Sequence, residues 1–398
     1  MPEAALRHAA EAYTDALVAF CQRLIRTPSP PGDEAGIAAL VRAEMAALAY
    51  DDVWADAAGN VVGVVRGGGG RSLMLNTHLD HVDAGDPGRW PVPPFEGRVT
   101  GGAVWGRGAM DIKGPLACQV YAPAVLRRAG ITPPGDLYVT AVVMEEVGGL
   151  GAQVLVDGVR PAFAVVGEAT GCRLTRGHRG RVELQARFVG RSGHASAPER
   201  AANPHFAVAR FLQALEGLPM AKSATFGSAT VAPTLIRSDQ ASANVIPEQL
   251  VVTLDWRTVP EEGADAVVAR VAALAAGAAD SGVTAEVRVP VVSRTSYTGL
   301  TRDCPSVHPA FELPVTHPLV RAAREALTEI YAEPVPVDLW RFATDGGHFM
   351  AAGIPTIGFG PGDEHLAHTT EERIDLDQLA RGLLGNAALC ARLGEVAD

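Results

Sequence analysis

Apolar positions along the chain follow two periods, and the switch between them divides it into three stretches. Leu17, Phe20, Cys21, Leu24 and Ile25 keep helical spacing and predict a helix over 5–26, stopped by the prolines of "TPSPPGDE". A second, alanine-rich helix is expected over 34–48. Two short β runs follow, "NVVGVVRG" and "SLMLNT"; with Gly67 to Gly70 between them they read as a hairpin. "DIKGPLACQVYAPAVLRRAG" reads as a helix closed by Gly130 and begun at Asp111. "DLYVTAVVM" and "PAFAVVG" are apolar enough to be buried central strands.

Near residue 176 the texture changes. "RVELQARFV" alternates apolar and polar positions, as a half-exposed antiparallel strand does. A helix at about 204–216, the runs "ATVAPTLIRS" and "QLVVTLDWR", a helix near 261–277 and "TAEVRVPVV" complete a β-α-β-β-α-β order, the ferredoxin-like split. After residue 293 the α/β texture returns, with a helix at 317–330, the strand "PTIGFG" and a closing helix from about 375. The expected architecture is one α/β domain, 1–176 and 293–398, interrupted by an inserted α+β domain at 177–292.

At 398 residues the chain exceeds one ordinary core, which agrees with two domains. Its net charge of −11 argues against nucleic acid or an anionic membrane surface as partner. Five scattered cysteines, odd in number and without a C-x-x-C pair, fit buried thiols in a reducing compartment. The first twenty residues lack a basic segment followed by an apolar one, and no window has the roughly 18 apolar residues of a membrane helix. A cytoplasmic enzyme is the expectation.

The candidate chemistry lies at strand ends. "LMLNTHLDHVD" sets His78 just past an apolar strand with Asp80 two residues on, a pairing that suits a metal ligand held by a carboxylate. "GRGAMDIKG" opens like a dinucleotide loop but carries Asp111 where the third glycine belongs. Such an aspartate either caps a helix or presents two oxygens to two cations. "DLYVTAVVMEEVGG" ends in Glu145 and Glu146, adjacent acids that repel unless a cation separates them. "AFAVVGEATG" adds Glu168, and "GFGPGDEHLAHTTEE" places His365 and His368 after the strand "PTIGFG". Acids and histidines converging from several strand ends are what a carboxylate-rich two-metal site demands.

The ordered set "NTHLDHVD", "GRGAMDIKG", "MEEVGG", "GEATG" and "GPGDEHLAHTTEE" resembles the M20 family of dinuclear zinc peptidases and deacylases over nearly the whole chain. The resemblance implies a zinc-peptidase-like catalytic domain with a ferredoxin-like lid and dimerisation insert. It implies two zinc ions, with cobalt or manganese as substitutes. His78 and Glu168 would hold one, Glu146 and His368 the other, with Asp111 bridging. Glu145 would be general base and acid, and Asp80 would orient His78. In the insert, "GRSGHASAPERAANP" supplies His194 for the oxyanion, reaching across a homodimer. "NVIPEQLVVTLDWRTVP" supplies Asn244 and Arg257 for a substrate carboxylate, and Arg179 in "RGHRGR" is a further candidate for the same task. His81 and His365 are expected beside the ligands or on the surface, and His348 in "ATDGGHFMAAG" lies in a segment that the family uses to line the site, a candidate to face the substrate.

The function implied is hydrolysis of an amide bond next to a free carboxylate. An N-acyl amino acid is the first substrate class, in the manner of acetylornithine deacetylase. A dipeptide or peptide C-terminus is the second, and a non-catalytic metabolite-binding relative is the third. A dinucleotide oxidoreductase, a G-x-S-x-G serine hydrolase and an H-E-x-x-H metalloprotease all lack their motifs.

Overall fold

Four largely buried runs form the centre of the larger unit. In the computed structural model, which describes residues 3–280 and 282–397, Leu137–Val142, Leu73–His78, Phe163–Val166 and Thr356–Gly358 are parallel neighbours in that order. Strands covered on both faces need no alternation, which is why "LMLNT" and "FAVV" read as continuous apolar stretches. Val61–Val65 and Asp52–Ala55 extend the sheet antiparallel beyond Leu137–Val142. The four parallel strands run in one direction, so their C-terminal ends share one edge. The helix Gly114–Arg128, buried from Gly114 to Leu126, packs on the two central strands and on the closing helix Leu376–Arg392.

The hairpin expected from the four glycines does not form. Val61–Val65 and Leu73–His78 are separated by Leu137–Val142, which pairs with both. The glycines instead lie along the chain that leads into that strand: Gly68 and Gly70 donate to the Pro133 and Pro134 carbonyls at 2.9 and 2.8 Å. The helix expected over 5–26 is two, Glu3–Glu11 and Thr14–Ile25, broken at Ala12 and Tyr13.

The chain divides into two compact units. One holds the described residues up to Gly177, Ser293–Arg302 and those from Glu312 on; the other holds His178–Val292 and Asp303–Phe311. Asp303–Phe311, which the sequence reading placed with the last stretch, belongs to the second unit because Val307 and His308 pair with Val182 and Arg181 at its sheet edge. The outermost expected bounds, residues 1 and 398, lie outside the described residues.

In the second unit, Thr230–Ser238, Gln249–Thr258, Gly180–Val189 and Thr284–Arg288 form one antiparallel sheet in that order. The helices Pro204–Glu216 and Ala264–Ala278 cover one face. This is the ferredoxin-like order, and Phe188, Phe211, Leu254 and Trp256 fill its core.

Candidate metal centre

Each central strand delivers a polar group at its C-terminal end. His78 closes its own strand, and its imidazole is buried with 2% exposed. Nδ1 faces the Asp80 carbonyl at 3.0 Å and the Asp80 carboxylate at 3.5 Å, which leaves Nε2 for the site. Nε2 stands 3.2 Å from Asp111 Oδ1 and 3.6 Å from Glu168 Oε1. On the other side of Asp111, Oδ2 is 3.2 Å from His368 Nε2, which is also 3.2 Å from Glu146 Oε1. Two groups of donors result, His78–Asp111–Glu168 and Asp111–Glu146–His368, each with its ligand atoms within 4.8 Å of one another. Asp111 is common to both. Glu145 belongs to neither.

Asp111 is not a helix cap, as one reading of the sequence had it. The helix begins at Gly114, and Asp111 sits in an irregular turn, Ala109–Lys113, at φ −115° and ψ 82°. Its peptide bond to Ile112 is cis. Gly106 opens this loop at φ +149°, and a Cβ there would lie 2.6 Å from the Pro94 carbonyl. The turn is held from beneath by Glu372, fully buried, whose Oε1 accepts from the Met110 and Asp111 amides at 3.2 and 3.1 Å. Arg107 pairs with the same carboxylate and lies over the Trp90 ring.

Asp80, wholly buried, does more than face His78. Its two carboxylate oxygens accept from the backbone N–H groups of Glu145 and Glu146 at 3.0 and 3.1 Å. One side chain thereby fixes both a histidine and the turn that carries the adjacent acids. Just beyond, Gly149 at φ +71° makes room for the 340s segment: a Cβ there would meet His348 Nε2 at 2.7 Å and Asp345 Oδ1 at 2.8 Å.

The electrostatics follow from crowding acids where water is scarce. Burial, reinforced by neighbouring carboxylates, pushes Glu145 and Glu168 well above the usual range and also raises Glu146. Asp345 is raised to about 7 by burial and by Asp80. Burial raises Asp111 too, but the two imidazoles outweigh it and hold it below its ordinary value. Hydrogen bonding to Asp111 and Glu146 raises His368 to about 10. For His78 burial lowers the value, and Asp111, Asp80 and Glu168 more than reverse it. Mixed imidazole and carboxylate donors with one shared aspartate are a fitting set for two divalent ions.

His81 is buried and no ligand, since Nε2 accepts from Ser29 N at 2.9 Å and Nδ1 faces the Val82 carbonyl at 2.7 Å. His365 is exposed in the turn before His368. In the second unit, His194 and Asn244 come together: His194 pairs with Val245, and Ala195 N donates to the Asn244 carbonyl at 2.9 Å. Both side chains belong to exposed residues. Arg257 is half-exposed and donates to Asp255 at 2.7 Å, a carboxylate it shares with Arg181. Arg179 donates to the Phe226 and Ser228 carbonyls at 2.5 and 2.7 Å, which ties it to the Lys222–Ser228 hairpin. Glu372, Arg107 and Asp345 escaped the sequence reading. Glu372 stood inside the quoted "HTTEE" but had no apolar strand before it to mark it.

Residues 74–390 match the peptidase family M20/M25/M40. The chain belongs to that family. The protein YgeY of Escherichia coli is 32% identical over 370 residues, 92% of this chain and 91% of that one. Succinyl-diaminopimelate desuccinylase of Paracoccus denitrificans is 30% identical, covering 90% of this chain and 93% of its own. Among solved structures, aminopeptidase PepT from Bacillus cereus shares the fold with a TM-score of 0.76 at 19% identity, over 97% of this chain and 99% of that one. The architecture described above, an α/β unit with an inserted α+β unit, is the fold of this family. The M20 chain is therefore an enzyme, a hydrolase of amide bonds from a metal-dependent family, and its strand-end cluster is the candidate metal centre. Among the described residues, no helix is long and apolar enough to cross a membrane.

Proposed function

We propose that this M20 enzyme cleaves the amide bond of an N-acyl amino acid, next to its free carboxylate, in a site built for two zinc ions. Cobalt or manganese would serve as substitutes. The observation that carries this reading is the position of Asp111, with one oxygen toward His78 and the other toward His368. His78, Asp111 and Glu168 would hold one ion, and Asp111, Glu146 and His368 the other. When bound, such a pair polarises a carbonyl and lowers the pKa of water from about 15.7 toward about 7.

Glu145 stands beside both donor groups while belonging to neither, which suits it to move protons. Burial and the flanking acids hold its carboxyl above the ordinary glutamate range; in this role it would take a proton from the attacking water and hand it to the leaving amine. Asp80 keeps this carboxyl in place through the Glu145 and Glu146 amides.

We assign the substrate side to the inserted unit. His194 would donate to the oxyanion, and Asn244 and Arg257 would receive the carboxylate. The adjacency of His194 and Asn244 supports this; Arg257, half-exposed, would share its guanidinium between the substrate and Asp255. Arg179, engaged by two carbonyls, has the weakest geometry for the task. The homodimer is assigned to the strand Thr230–Ser238, which among the described residues is paired on one side only and exposes Leu235 and Ile236 at 48% and 54%. The five buried free thiols support a reducing, cytoplasmic setting.

A panel of N-acetyl, N-succinyl and N-formyl amino acids alongside dipeptides, offered to the zinc-loaded enzyme, tests the reading. Turnover confined to acyl amino acids is the expected result. Turnover confined to dipeptides would replace it with a peptidase, and no turnover with metal bound would leave a binding protein.

A further inference from the structure

The turn that presents Glu145 and Glu146 is not held by the strand ladder. Four successive amides leave the end of Leu137–Val142, and each is taken by a buried side chain from elsewhere in the same unit. Val143 N donates to Asn60 Oδ1 at 2.9 Å, Met144 N to Glu34 Oε1 at 3.2 Å, and Glu145 and Glu146 N to Asp80. Asn60 and Asp80 have further employment: Asn60 also donates to Asp56 and Gly151, and Asp80 faces His78. Glu34, apart from the amides of Gly32 and Glu34 in its own loop, reaches the Met144 amide.

Glu34 stands at the N-cap position of the helix Ala35–Ala47, and its side chain makes no capping hydrogen bond. It is fully buried, and among the described residues its Oε2 has no hydrogen-bond partner. A buried carboxyl with an orphan oxygen costs stability, so stability alone does not account for it. What it reaches is the amide of Met144, the residue before Glu145, held at φ +58° where a non-glycine residue is rare.

We propose that Glu34 is a positioning residue for Glu145, acting through the Met144 amide to fix the left-handed turn that aims the acid. The proposal rests on the reading of Glu145 as the proton carrier. An acceptor oxygen at that reach is the essential feature, and the negative charge is not. Glu34→Asp keeps the charge but withdraws the oxygen by one methylene, whereas Glu34→Gln gives up the charge and keeps the oxygen.

The experiment compares the two variants by kinetics, by bound metal and by amide hydrogen exchange in the segment 143–149. Glu34→Asp is expected to lower kcat about 30- to 100-fold with KM within about twofold, as a small misplacement of a reacting group does. It should retain full metal content and lose exchange protection in this segment alone. Glu34→Gln should rescue both kcat, to within about threefold of wild type, and protection. A Gln variant as impaired as the Asp variant would overturn the proposal, and so would loss of metal in either. An Asp variant with unchanged kcat and protection would overturn it equally. If the wild-type enzyme cleaves no amide, the functional reading fails by itself, and hydrogen exchange still decides whether Glu34 holds the turn.

Discussion

Glu145 and Glu146 are neighbours in sequence, and the fold gives them different environments. Glu146 is turned to His368 and Asp111, while Glu145 joins neither donor group. Glu145→Ala is therefore expected to lower kcat by about 10²- to 10⁴-fold while metal content stays near that of wild type. Kinetics with metal analysis checks this, and an active variant would remove Glu145 from the proton-transfer role. Single residues of this kind were legible in the sequence wherever an apolar strand ended in an acid or a histidine: His78, Glu145, Glu146, Glu168. Asp111 was legible as an intruder in a glycine loop. Glu34 and Glu372 were not. Their partners lie 110 and 261 residues away, and nothing local marks a buried carboxyl whose purpose is to accept from a distant amide.

At the scale of elements, the centre depends on turns more than on the strands that feed them. The central strands were readable from hydrophobicity and most long helices to within a few residues, but the helix expected over 5–26 is two, and Leu150–Gly158 and Gly346–Ala351 were not read. The loop conformations were not, because they are set by contacts across the sheet. The glycines at 67–70 illustrate this: locally they spell a hairpin, but the Pro133 and Pro134 carbonyls take their amides and the strand partner comes from 137–142. Gly149 shows the same dependence at the site. Gly149→Ala would combine an unfavourable φ with a Cβ pressed against Asp345 and His348. A loss of about 1–3 kcal/mol in stability is expected, with reduced kcat in the folded fraction. Urea unfolding and active-site titration measure the two effects, and an unperturbed variant would show that the 340s segment does not press on this turn.

The stability of the whole molecule depends on pH through groups that the reaction does not use. Burial, then the nearby Lys113, lowers His81 to about 4, and it remains neutral while accepting from Ser29. An unfolded histidine titrates near 6.5. Between these values the unfolded chain binds a proton that the folded chain does not, so the stability associated with His81 is fully present above about pH 6.5 and is lost as pH falls toward 4. The span corresponds to about 3 kcal/mol. Urea denaturation of the metal-free enzyme at pH 7 and pH 4.5, with His81→Gln as control, should show a steeper acid loss in the wild type; equal slopes would contradict it. The two-unit organisation was readable from the change in strand texture near residue 176. The return of Asp303–Phe311 to the inserted unit was not, because it depends on an edge pairing between Val307 and Val182.

The measurement that bears most directly on the centre is the metal content of Asp111→Ala beside that of the wild type, by elemental analysis after loading with zinc and desalting. Two equivalents in the wild type and loss of both in the variant are predicted, because one carboxylate completes both donor groups. Two equivalents retained by the variant would contradict a shared, bridging Asp111.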